Sequence, residues 1–113
     1  MMSPIDDFAS QLRQMGFDVS INASFVIFPF EIQSGGRSGQ AVTVGIEVPG
    51  DFPANPPPGP HIRPHLGHPD GHVNPSPLGQ EWEYWSRPFP SWPSTNRTAS
   101  DYMCHVRLLF SQL

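Results

Sequence analysis

Four histidines, His61, His65, His68 and His72, recur at spacings of four, three and four, with Asp70 among them. On a helix this spacing would bring the imidazoles to one face, the arrangement in which a d-block cation finds several nitrogen ligands at once. The chain around them reads "HIRPHLGHPDGH". Proline removes a helical donor and glycine favours turns, so no helix is expected here and the spacing has no ligand geometry behind it. Histidines paired across a loop are the one remaining route to zinc, and the expectation is no metal and no cofactor.

The other candidate chemistry is sparse. Cys104, the single cysteine, stands beside His105. One thiol builds neither a disulfide framework nor a cysteine-based zinc site. A Cys–His neighbour pair would suit a thiolate nucleophile, but consecutive helical side chains diverge by about 100°, and cysteine is among the residues most often simply buried. Ser76 and Ser86 offer hydroxyl nucleophiles, with His72 the nearest base in sequence. Glu81 and Glu83 flank Trp82 and share one face of a strand; lacking a pocket partner, they are expected to be solvated. All six basic residues are arginine, so chemistry that needs a lysine amine is excluded.

The elements that must position these groups follow from periodicity. Ser3-Pro4 with Asp6 is a helix start, Ile5, Phe8, Ala9, Leu12 and Met15 recur at helical spacing, and Gly16 stops the run. From Val19 the period becomes two: Val19, Ile21, Ala23, Phe25 and Ile27 predict one half-buried strand running on into "VIFPFEIQ", where Pro29 marks an edge or a bulge. "SGGRSG" at 34–39 is a hairpin loop; it lacks the G-x-S-x-G spacing of a nucleophile elbow. Val42, Val44, Ile46 and Val48 form a second strand, and a short strand is expected at His61–Arg63. "EWEY" is strand-like, and Thr98 or Ser100 caps a last helix whose apolar face is Tyr102, Met103, Val106, Leu109, Phe110 and Leu113. The order is helix, antiparallel strands, long ordered loop, helix: an α+β fold with helices on one sheet.

Composition bounds the rest. The chain is 113 residues, 37% hydrophobic and 12% aromatic, enough for one modest core and no second one. A net charge of −4 leaves no electrostatic footprint for a phosphate backbone, so nucleic acid is not an expected partner. No run is apolar enough for a membrane span, and "MMSPIDDFAS" has no signal-peptide pattern, so the expected location is the cytoplasm with no membrane partner.

The proline-rich stretch "VPGDFPANPPPGPHIRPHLGHPDG" needs its own reason. There is too little chain on either side for a linker. Pro57-Pro58-Gly59-Pro60 has P-x-x-P spacing, but Ile62 stands where a polyproline ligand carries its base. A rigid rim fits best, because proline restricts the unfolded chain and removes donors that would otherwise pair with a sheet edge.

A strand ending "IEVPGDFPANPPP", followed by a short strand and then "HP", resembles the ubiquitin-conjugating (UBC) fold. The matching elements are Pro49, Asp51, Phe52, Pro53, Pro56 and Pro57, then His68, Pro69 and Asp70, with Trp92-Pro93 similar to the family's downstream tryptophan. With "HPDGHV…WEYWSRPF…W…Y…HVRLLF" the chain is similar to a bacterial branch, the prokaryotic UBC-like family E. The resemblance implies a single minimal domain over 1–113: an N-terminal helix, an antiparallel β-meander, an ordered proline-rich loop and a C-terminal helix. It also implies a modifier-bearing cysteine near Gly79–Trp82, where "GQEW" has none, and an asparagine where Asp70 stands. A carboxylate is ill suited to stabilising a developing oxyanion. The resemblance therefore implies a non-catalytic variant that binds a ubiquitin-like protein, or an activating or conjugating enzyme of the same operon. The expected binding surface is Trp82, Tyr84, Trp85 and Phe89, since Trp and Tyr dominate interface hot spots. The alternatives are a conjugating enzyme that uses a hydroxyl or Cys104, and a structural interaction domain unrelated to modifiers.

Overall fold

In the computed structural model, which describes residues 2–113, the first helix begins as its sequence dictates. At α1 (Pro4–Gln14), the Asp6 N–H donates to the Ser3 hydroxyl at 3.2 Å while that hydroxyl donates to the Asp6 carboxylate at 2.7 Å. The helix closes at Gly16, whose φ of 96° lets the Phe17 N–H return to the Leu12 carbonyl. Phe8, Ala9 and Leu12 are fully buried.

The single strand expected from Val19 onward is instead a hairpin. β1 (Ser20–Asn22) and β2 (Phe25–Glu31) pair antiparallel, with Ser20 opposite Ile27 and Asn22 opposite Phe25. The chain reverses at Ala23–Ser24, Ala23 taking a φ of 53°. Alternation looks the same whether a strand continues or folds back over two residues, and Asn-Ala-Ser lacks the glycine that usually signals such a turn.

The hairpin opens a six-stranded antiparallel sheet of order β1-β2-β3-β4-β6-β5. Its other strands are β3 (Ala41–Glu47), β4 (Pro60–Arg63), β5 (Val73–Ser76) and β6 (Gly79–Trp85). Pro29 pairs with Thr43 of β3 and lies past the last residue that β1 covers, so its missing N–H meets no strand there. The sequence does not announce β5: it is a short edge strand carrying a proline, its residues mostly exposed.

Both helices lie on one face of the sheet. The C-terminal α2 (Ala99–Ser111) starts at a reciprocal cap, Thr98 Oγ1 accepting from the Asp101 N–H and the Asp101 carboxylate from the Thr98 N–H. Tyr102, Met103, Val106, Leu109 and Phe110 are buried from it, Phe110 stacking on Phe30 at 5.3 Å and meeting Trp85 edge-on at 5.2 Å. Burial of each such side chain stabilises the fold by about 1.5–3 kcal/mol.

The proline stretch is an ordered rim between β3 and β4. Phe52 is buried edge-on against Phe8 at 5.1 Å, and Pro57 is buried; Pro49 and Pro56 are half-buried and Pro53 is exposed. The rim carbonyls are used rather than idle: Trp92 Nε1–H donates to Pro53 O at 2.9 Å, and the Arg87 N–H to Pro58 O at 3.0 Å. Gly59, at a φ of 153°, lies so close to the Trp85 carbonyl that any Cβ would overlap it. Among the described residues no helix is long and apolar enough to cross a membrane.

Candidate functional site

β4 and the end of β5 place a histidine and a serine in contact on the sheet face away from the helices. His61 stands opposite Gly45 of β3 and Tyr84 of β6. Its ring stacks on Tyr84 at 4.5 Å and receives the edge of Phe25 at 4.9 Å, which fixes its plane. Burial pushes the imidazole down to about 4, outweighing the nearby Glu47 carboxylate, which acts in the opposite sense. His61 is therefore neutral at pH 7.

Ser76 ends β5 at the tip of the β5–β6 hairpin. Its Oγ lies 2.7 Å from His61 Nδ1 and accepts the Leu78 N–H at 3.1 Å. The latter contact closes the turn, and the former pins the hairpin tip over β4. Gly45 leaves the room this needs, since a Cβ there would stand 2.7 Å from Leu78 Cδ1 and 3.3 Å from the Trp82 ring. The sequence offered His72 as the base for Ser76; His72 is instead exposed, at a φ of 56°, and the partner is His61, fifteen residues from Ser76.

A second pair lies on the opposite side of β6. Glu83, expected to be solvated, is 4% exposed. Its Oε2 accepts from Trp85 Nε1 at 2.7 Å and from the Gly67 N–H at 2.8 Å, while Oε1 stands 3.8 Å from His65 Nδ1. The two donors replace the water that the carboxylate loses on burial. His65 Nε2 is 2.8 Å from the Gln80 carbonyl, which only accepts, so that nitrogen carries the ring proton. Glu81, two residues earlier, is exposed.

Ser76, His65 and Glu83 line one cleft of about 490 Å³ beside the β5–β6 hairpin, with His61 behind Ser76 and outside the lining. Val73, Pro75 and Trp82 make its walls apolar; Ser76, His65, Glu83 and Gln80 supply its polar atoms. An apolar concavity with a few convergent polar groups is what small-molecule and peptide-tail sites look like.

The expected aromatic surface does not form as one patch. Trp85 is fully buried in the core and Trp82 is 6% exposed, its ring covered by the Arg63 guanidinium at 5.0 Å. Tyr84 is half-buried on the outer face, and Phe89 is half-buried on the helix side against Trp92 and His105. Alternation along β6 sends Trp82 and Tyr84 one way and Trp85 the other, and only the core side could hide an indole completely. Trp82 retains a role as a wall of the cleft.

The remaining candidates are scattered. The His68 ring is fully buried and bound to backbone, with Nε2 3.0 Å from Leu109 O and Nδ1 accepting the Asp70 N–H at 3.2 Å. Pro69 and Asp70 are exposed. Cys104 faces solvent on α2 rather than being buried. His105 is half-buried, with burial lowering its affinity for a proton and the Arg87 backbone opposing that. Among the described residues no three His, Cys, Asp or Glu side chains gather in a way that would hold a metal ion. The four histidines go to the outer face, the cleft, the core and the surface.

Compared with protein-family models, curated proteins and solved structures, the chain matches none.

Proposed function

We propose that this protein is a minimal UBC-like domain without a transfer cysteine, which binds a ubiquitin-like modifier or one of its conjugation enzymes and orients it. The observation that carries the reading is the position of the cleft. It is lined by Gly79, Gln80 and Trp82, the stretch where the resemblance puts the modifier-bearing thiol, while Cys104 lies on the outer surface of α2. A modifier tail is an extended peptide, and a cleft with apolar walls and a few polar atoms beside a strand hairpin suits it. The order of helix, meander, proline rim over Phe52, buried His68 and closing helix supports the same reading. The analogy is with conjugating-enzyme variants that bind without transferring, and the absence of lysine suits a protein that works among such enzymes without being modified.

Native mass spectrometry tests this, with the chain mixed with a ubiquitin-like protein, its activating enzyme and ATP. The expected result is a non-covalent complex weakened by substitution of Gln80 or Trp82 in the cleft. No complex with either component would overturn the reading in favour of an unrelated interaction domain. Transfer of the modifier onto this chain would overturn the binding-only role.

A further inference from the structure

The contact between Ser76 and His61 carries chemistry that a binding role does not use. A serine hydroxyl becomes a nucleophile when a neutral base within hydrogen-bond reach accepts its proton as it attacks. Each requirement has a counterpart here. The Oγ–Nδ1 separation is 2.7 Å, and the ring is held by Tyr84 on one side and Phe25 on the other. The Leu78 N–H already donates to Oγ at 3.1 Å, which orients the oxygen. Ser76 is half-buried and lines the cleft of about 490 Å³, so a substrate in that cleft reaches it.

We propose that Ser76 is an acyl-accepting nucleophile with His61 as its general base, and that the cleft takes small uncharged carboxylic esters or thioesters. His61 Nδ1 receives the hydroxyl proton as the Oγ–C bond forms. The bond from the acyl carbon to the alkoxide or thiolate then breaks, and the leaving group departs with the proton returned by the imidazolium. The product is an ester on Ser76, which water or an amine resolves in a second, mirrored step. The base acts from Nδ1, so the neutral ring carries its proton on Nε2. Gln80, in the same cleft and with a carboxamide bonded to no side chain among the described residues, is placed to donate to the developing oxyanion. The walls Val73, Pro75 and Trp82 favour apolar acyl groups, and the Glu83 carboxylate disfavours anionic ones. This inference goes beyond the binding role and does not depend on the modifier.

The test uses p-nitrophenyl acetate on the intact chain, read by release of p-nitrophenolate and by peptide mass mapping. The expected result is one acetyl group on Ser76, none in Ser76→Ala, and labelling slowed about 100-fold in His61→Phe, a ring that keeps the packing but accepts no proton. The groups that face His61 are the Glu47 carboxylate from β3 and the Tyr84 ring from β6, with Arg63 on its own strand, and burial pushes the imidazole itself down to about 4. The labelling rate is accordingly expected to be level over that range, rather than falling below pH 6.5 as it would for a solvated histidine. Absence of acetyl at Ser76 overturns the proposal, as does equal labelling in His61→Phe; the contact is then only a pin for the hairpin tip. Ser76→Ala removes a single half-buried hydroxyl and remains informative if His61→Phe does not fold.

Discussion

Glu83 is the residue at which this structure makes its sharpest energetic demand. Its Oε2 is the acceptor for two donors, Trp85 Nε1–H at 2.7 Å and the Gly67 N–H at 2.8 Å. Glu83→Ala removes the acceptor and leaves both donors without it, at about 1–3 kcal/mol each, hence about 2–6 kcal/mol in total. Glu83→Gln is a different perturbation. Its carbonyl oxygen can still accept both donors, and its amide takes the position of Oε1, 3.8 Å from His65 Nδ1, where an N–H faces a nitrogen that accepts in the neutral ring. Only the charge assistance is lost, about 1 kcal/mol per bond and about 2 kcal/mol at most. The assay is urea unfolding followed by tryptophan fluorescence. With a slope of about 2 kcal/mol/M, the alanine variant shifts the midpoint by about 1–3 M and the glutamine variant by about 1 M or less. Equal shifts for the two variants at unchanged slope would refute the reasoning, because the loss would then not lie in orphaned donors. Against a total stability of about 5–15 kcal/mol, the alanine variant is close to the limit for folding at all.

Three further perturbations have defined outcomes. His61 binds its proton at about 4 in the folded chain, against 6.5 for an imidazole in water, so the unfolded state holds more protons between those values and stability falls as pH drops through that window. The loss amounts to about 2–3 kcal/mol by pH 4; His61→Phe is expected to remove this part of the acid limb, and the imidazole resonance in a proton NMR titration should move only near pH 4. Gly59→Ala drives a methyl group into the Trp85 carbonyl at a backbone angle that side chains rarely adopt, and a cost on the order of 4 kcal/mol is expected in chemical denaturation. Thr98→Ala removes the hydroxyl half of the α2 cap, for about 1 kcal/mol and a melting temperature lower by about 4–8 °C in a calorimetric scan.

The parts of the fold that could be read directly are those set by neighbours within a few residues. The caps at Ser3 and Thr98, the Gly16 stop, the alternation of Val42, Val44 and Ile46, and the loop at 34–39 all act through contacts between near neighbours, and each stands where its pattern put it. The β1–β2 reversal and the edge strand β5 escaped, the first because alternation is blind to a two-residue turn and the second because a short polar strand with a proline carries no periodic signal. One signal for Glu83 was present: in "EWEYW" it shares a strand face with Trp85, and a buried indole N–H needs an acceptor. That reading required knowing that Trp85, rather than Trp82, faces the helices.

Alone, then, the amino-acid order determined the two helices, three of the strands, the rigidity of the proline rim and the absence of lysine chemistry. Tertiary structure alone decided which histidine meets which partner. Ser76 lies fifteen residues from His61, and Glu83 sixteen from Gly67. Those separations become contacts only because β6 pairs with β4 and β5 returns beside β6 at the sheet edge. Periodicity assigns a side chain to a face of its own strand. Which residue it meets there depends on strand order and register, and these are settled by how the whole sheet buries its core.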